Sequence, residues 1–150
     1  MAITEDKSIL IDTNILVYAN AKGYVLREEA IEKLRYYERE GFALWISRQI
    51  IREFLSTMSN LMRVNNSYDE TVLLQFVSHL HRQFIIADET EVTTKYLLDL
   101  VASHRVIGKQ IHDCNLVATM KQYDITQILT HNVSDFHRYL SENIKVIALT

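Results

Sequence analysis

The sequence predicts an α/β domain with a largely parallel sheet, on three observations. Short apolar runs alternate along the chain with segments of helical period, the pattern of strand–helix–strand units. Proline is absent and glycine occurs only at 23, 41 and 108, which disfavours a turn-rich all-β fold and suits long helices. The 150 residues contain no linker, repeat or low-complexity tract, so one domain, 1–150, with a sizeable core is expected.

Taken in order, Ser8 to Asp12 is an apolar run closing on a carboxylate, a buried strand that feeds a short helix through Asn20. Leu26, Ala30, Ile31, Leu34 and Tyr37 recur at helical spacing among charged residues, and Gly41 stops that helix. Phe42 to Ile46 is the second strand. Ser47 caps a helix to about Arg63 whose stripe is Ile50, Phe54, Met58, Leu61 and Met62. Ser67-x-x-Glu70 reads as a capping box for a helix to about Arg82, and Phe84 to Ala87 as the third strand. Asp88-x-x-Glu91 opens a helix ending near Gly108. Ile111 to Tyr123 is helical, Ile125 to Leu129 a strand, Ser134 to Leu140 a short helix and Ile144 to Leu149 a last strand.

Bulk properties exclude several classes. With 16 basic and 19 acidic residues the net charge is −3, so nucleic-acid binding would rest on local basic clusters. Cys114 is the lone cysteine, which rules out an intrachain disulfide and suits a reducing compartment. Residues 1–7 lack the basic and apolar regions of a signal peptide, and no apolar stretch nears the roughly 20 residues of a membrane span, so a soluble cytoplasmic protein is expected. No phosphate-binding glycine loop occurs, and Cys114 has no base partner in sequence. A receiver-like domain would need a lysine after a late strand, where His131-Asn132 stands instead.

Acids in apolar company carry the chemistry. Asp12 stands at the carboxyl end of a strand, where ligand sites of open α/β sheets lie. Glu53 falls at the edge of an apolar helical stripe, the bland alternative being an ion pair to Arg48 or Arg52. Asp113 shares a face with Leu116, Val117 and Met120; the alternative is an acid placed in a first turn by the helix dipole. Thr130, Asn132 and Asp135 follow another strand, where Ser134 or Asp135 could equally cap the next helix. Carboxylates drawn together repel unless a divalent cation neutralises them. Oxygen donors of this kind suit Mg²⁺ or Mn²⁺, ions that activate water in phosphodiester hydrolysis. Asn14 and Thr130 add neutral oxygens. His112 and His131 match no zinc spacing.

Four blocks, IDTNILVYA (11–19), SRQIIREFLS (47–56), GKQIHDCNLVATM (108–120) and LTHNVSDF (129–136), resemble in order the four sequence blocks of a PIN domain, most closely the VapC-like bacterial toxins. The resemblance runs from about Ile9 to Leu149. It implies a three-layer α/β/α sandwich with a mostly parallel central sheet and a Mg²⁺- or Mn²⁺-dependent endoribonuclease, usually a homodimer inhibited by a cognate antitoxin. Matched by motif, Asp12, Glu53 and Asp113 fall on the family's first three acids. The fourth position falls on Asp135 or on Asn132, with Asp135 the acid and Thr130 and Asn132 in support. Arg48, Arg52, Lys109 and Arg138 neighbour these blocks and are candidates for phosphate contacts, each alternatively a solvated surface charge. Tyr18, Tyr36, Tyr37, Tyr96 and Tyr123 are able to stack bases, though their spacing assigns most to core or interface. Apolar Leu26, Leu34, Phe54, Leu61 and Met62 exceed what one core face needs, and a dimer or antitoxin groove is expected to use some of them. Two other readings stand beside the toxin: an RNA-processing nuclease without an antitoxin, and a non-catalytic PIN-like module that binds protein.

Overall fold

The computed structural model describes residues 7–150; the reading of the first residues as no leader therefore falls almost wholly outside the described part. Among these residues five strands, β1 (Ser8–Ile11), β2 (Ala43–Ser47), β3 (Ile85–Ala87), β4 (Gln127–Thr130) and β5 (Lys145–Ala148), form one sheet in the order 3-2-1-4-5. Every neighbouring pair is parallel. The α/β class holds. β1 is central, with Ile9, Leu10 and Ile11 fully buried, as expected of a parallel strand covered on both faces.

Among the described residues six helices flank the sheet: α1 (Thr13–Asn20), α2 (Arg27–Arg39), α3 (Arg48–Val64), α4 (Glu70–Gln83), α5 (Glu91–His104) and α6 (Gln110–Gln122). One group packs α1 on α2 and α3, and α3 on α4; the other packs α5 on α6, and α6 on a 3₁₀ segment, Val133–Glu142. The chain winds outward from β1 to β3, returns across, and then lays β4 and β5 on the other side of β1. The direction therefore reverses between β1 and β4, and in open α/β sheets a crevice opens there beyond the strand ends.

Two caps differ from the sequence reading. Asp69, not Ser67, caps α4 by accepting from the Val72 N–H at 3.2 Å. Ser67 is taken by the end of α3, its hydroxyl donating to the Met62 carbonyl at 3.4 Å. Thr90, not Asp88, caps α5 in a reciprocal box with Thr93, because Asp88 is engaged by Arg48 Nε at 2.8 Å. That helix also ends early, at His104, where Arg105 turns left-handed at φ 51°. Of the apolar residues that exceeded one face, Leu34 and Phe54 are core. Leu61 and Met62 line a groove with Met58, Val72, Phe76 and Tyr24.

Candidate functional site

Asp12 is both the end of a strand and the start of a helix. Its backbone N–H donates to the Leu129 carbonyl at 3.0 Å, extending the β1–β4 ladder by one residue. Its side chain caps α1, with Oδ1 accepting from the Thr13 N–H at 2.8 Å. Oδ2 accepts from the Thr130 hydroxyl at 2.7 Å and from Asn14 Nδ2 at 3.3 Å. Thr130, fully buried at the end of β4, also accepts from the Asn132 N–H at 3.0 Å. Asn14 Oδ1 accepts from the His131 N–H at 3.1 Å. The switch point is thus laced together by short polar side chains.

Glu53 enters from α3. Its Oε2 accepts from the Thr13 hydroxyl at 2.7 Å and its Oε1 from Gln49 Nε2 at 2.7 Å. The alternative of an ion pair to Arg48 or Arg52 is not what forms: Arg48 pairs with Asp88 and Arg52 with Glu89, at 3.6 Å. Gln49 is only 4% exposed. It donates as well to the His112 carbonyl at 2.8 Å and accepts from Asn115 Nδ2 at 2.8 Å. One buried amide therefore fixes α3, which carries Glu53, against the start of α6, which carries Asp113.

Asp113 lies in the first turn of α6, half-buried, with Leu116, Val117 and Met120 buried beyond it. Asp12, Asn14, Glu53, Asp113 and Asn132 line one cleft of about 480 Å³, together with Thr13, Val17, Tyr18, Tyr24 and Thr57. Asp135 is exposed on the 3₁₀ segment and does not line that cleft, yet its charge reaches both Asp12 and Asp113. Asn132 lies nearer the cleft wall, while Asp135 supplies the negative charge.

The electrostatics are uncompensated. Asp12 is pushed up to about 6, first by burial and then by the charges of Glu53 and Asp135, against the pull of its Thr130 and Thr13 hydrogen bonds. Asp113 is likewise pushed up to about 6, first by burial, then by Asp135, Asp12 and Glu53, with His112 opposing. Among the described residues no lysine or arginine pairs with any of these four acids. The donor set is all oxygen, which fits a hard divalent cation. Among the described residues no three His, Cys, Asp or Glu side chains are arranged to ligate one ion directly.

Of the remaining sequence candidates, Arg48 and Arg52 stand exposed beside the α3 start in their ion pairs, Lys109 is exposed ahead of α6, and Arg138 bonds Gln110 at 3.0 Å. Gln49, Asn115, Tyr24 and Thr57 belong to the site and were not singled out. The spacing Gln49-x-x-x-Glu53, one helical turn, is the signal that marks Gln49. Cys114 is buried on the apolar side of α6 and plays no part in the cleft.

A family model described as the PIN domain matches residues 9–139. Among solved structures, the VapBC2 complex of Rickettsia felis bound to a promoter DNA fragment aligns with a TM-score of 0.67 at 19% identity, covering 94% of this chain and 98% of that one. DNA-bound VapBC of Salmonella typhimurium aligns with a TM-score of 0.67 at 15% identity, covering 95% and 98%. VapC20 of Mycobacterium tuberculosis, described as a sarcin–ricin loop cleaving toxin, aligns with a TM-score of 0.59 at 13% identity, covering 80% and 86%. No curated protein matches the chain in sequence at a significant level.

Proposed function

This chain belongs to the PIN domain family, and on that premise we propose that it is a metal-dependent endoribonuclease, the toxin of a toxin–antitoxin pair. The observation that carries the reading is the convergence of Asp12, Glu53 and Asp113 on one cleft at the β1/β4 switch point, where among the described residues no lysine or arginine pairs with them. Asp12 and Asp113 would hold Mg²⁺ or Mn²⁺, with Asp135 or Asn132 completing the set and Glu53 holding it through water. The ion would supply Lewis acidity and water activation for phosphodiester hydrolysis.

The chain's own groups do the positioning. Thr130 and Thr13 aim the two oxygens of Asp12. Thr13 and Gln49 pin both oxygens of Glu53, each keeping a lone pair for a water's proton. Arg48, Arg52, Lys109 and Arg138 would meet phosphates around the cleft. Releasing Arg48 and Arg52 from their exposed acid partners costs little, because such surface pairs contribute at most about 1 kcal/mol. The RNA substrate is supported by the mycobacterial neighbour, a sarcin–ricin loop cleaving toxin.

An antitoxin is supported by neighbours solved as VapBC complexes and by the groove of Met58, Leu61, Met62, Val72 and Phe76 beside the cleft, which suits the apolar face of an amphipathic segment. A homodimer is the expected assembly; light scattering that finds monomer at high concentration removes it. The site lies in a chain in which, among the described residues, no helix is long and apolar enough to cross a membrane, and a cytoplasmic location fits that activity.

The test is cleavage of total RNA by purified, partner-free protein with Mn²⁺ or Mg²⁺, beside an EDTA control and the Asp113→Asn variant. Discrete fragments from wild type alone, lost on chelation, are expected. Cleavage by Asp113→Asn at the wild-type rate overturns the assignment. Absence of cleavage by folded, metal-loaded protein shifts the reading to a protein-binding module.

A further inference from the structure

The cleft has an aromatic wall that the proposed chemistry leaves unused. Tyr18, in the last turn of α1, and Tyr24, in the loop after it, line the cleft beside the acids. Their ring centroids lie 5.0 Å apart with planes tilted by 53°. His131, in the turn after β4, meets Tyr18 edge-on at 5.5 Å and 80°. Three separate segments thus contribute one strip of rings, and each is held in place. Asn14 anchors the His131 backbone at 3.1 Å, and Gly23, at φ +90°, gives the loop the left-handed turn that precedes Tyr24.

Core packing does not account for the strip. Both tyrosines touch the core yet remain half-exposed, and His131 is exposed. Of the other tyrosines able to stack bases, Tyr37 is buried in the core and Tyr123 is tied to the Asp88 carbonyl at 2.9 Å. The neighbouring acids also pose a problem for an RNA ligand, since uncompensated carboxylates repel phosphates. Neutral ring faces add affinity without adding charge.

We propose that Tyr18, Tyr24 and His131 form a stacking platform for an unpaired nucleobase of the RNA strand, adjacent to the phosphodiester that is cut at the acidic cleft. The proposal rests on the ribonuclease reading of the same cleft and adds the residues that would hold a base beside the cut; the base must be unpaired, since paired bases offer no free face. Stacking on an aromatic side chain tolerates any base and contributes affinity on the order of tenfold to a hundredfold.

The test uses short synthetic RNAs spanning the mapped cleavage site, intact or with a single abasic nucleotide at successive positions. With wild type, one abasic position beside the cut is expected to raise KM roughly tenfold or more, with kcat much less affected. Tyr24→Leu should raise KM for the intact RNA by a similar factor and make that abasic position nearly silent, while Tyr24→Phe restores the low KM. A folded Tyr24→Leu protein with the wild-type KM overturns the platform, as does a KM that rises equally at every abasic position. Failure of the nuclease reading looks different: wild type then cleaves none of the RNAs. In that case fluorescence anisotropy on generic single-stranded RNA oligonucleotides, intact or with successive abasic nucleotides, decides, and an affinity indifferent to every abasic substitution overturns the platform.

Discussion

Asp12 and Glu142 are both shielded carboxylates, and the fold treats them in opposite ways. Glu142, on the 3₁₀ segment, accepts from Lys121 Nζ at 2.6 Å and from His104 Nε2 at 2.9 Å. The Lys121 hydrogen bond, above all, holds its carboxyl below the ordinary range. Asp12 receives only neutral donors, the Thr130 hydroxyl, the Thr13 N–H and the Asn14 amide, and burial pushes it up to about 6. The last turn of α6 thus supplies Lys121 to neutralise Glu142, while its first turn carries Asp113 among acids that, among the described residues, no lysine or arginine pairs with. The first arrangement is structural. The second trades stability for a place where an external cation is the natural counter-charge.

The sharpest way to break this contrast is to neutralise each acid in turn. Asp12→Asn and Asp113→Asn are each expected to lower RNA cleavage by more than about 100-fold, since even the outer partners of a metal ligand are worth 10–100-fold. Glu142→Gln should leave the cleavage rate at its wild-type value. Next in size is Gln49→Leu, which strips Glu53 Oε1 of its donor and leaves the His112 carbonyl and the Asn115 amide short of a partner. Cleavage should fall roughly 10- to 100-fold, with a stability loss of about 1–3 kcal/mol. A wild-type rate in a folded Gln49→Leu protein would show that Glu53 needs no such clamp.

The pH dependence of stability should have opposite slopes at the two places. In EDTA, Asp12 and Asp113 keep their protons to about pH 6 in the folded chain, whereas the unfolded chain releases them near 3.8. Their contribution to stability is therefore full below the lower value, is lost as pH rises between the two, and stays lost above. For Asp12 the loss is on the order of 2–3 kcal/mol. Mg²⁺ or Mn²⁺ added near neutral pH should recover part of it as a higher Tm; a Tm indifferent to both pH in that window and to cation would count against uncompensated acids. Glu142 runs the other way: its contribution is present above the ordinary 4.5 and is lost as pH falls through its lowered folded value. The smallest effect is that of Glu142→Gln at neutral pH, about 1–2 kcal/mol, or roughly 3–6 °C in Tm by thermal melt.

What could be read from the sequence, and what could not, divides along the same line. Asp12 and Asp113 stood out because a carboxylate in an apolar run or on an apolar helical face breaks the pattern around it. The strands and helices followed from the same patterning. Gln49 stands one turn before Glu53 in a matched block, yet local sequence assigns it no role of its own; its importance lies in three partners that only folding assembles. The caps failed for a related reason. Ser67 and Asp88 are competent cap residues, but the Met62 carbonyl and Arg48 had already engaged them, and local sequence does not record what a side chain is doing elsewhere. Tyr24 sits in a loop with no periodicity to place it, so its approach to Tyr18 was invisible until the turn at Gly23 was drawn.

The hydrogen bond from Thr130 to Asp12 spans 118 residues of chain, and that separation sets a timetable. A ribosome delivers Asp12 first, Glu53 and Asp113 later, and the hydroxyl that aims Asp12 near the very end, with β4. Because β1 lies between β2 and β4, its second neighbour is synthesised only after most of the chain. Until β4 is in place the acids lack the hydroxyl that orients Asp12, so the completed site depends on pairing the two most distant parts of the chain.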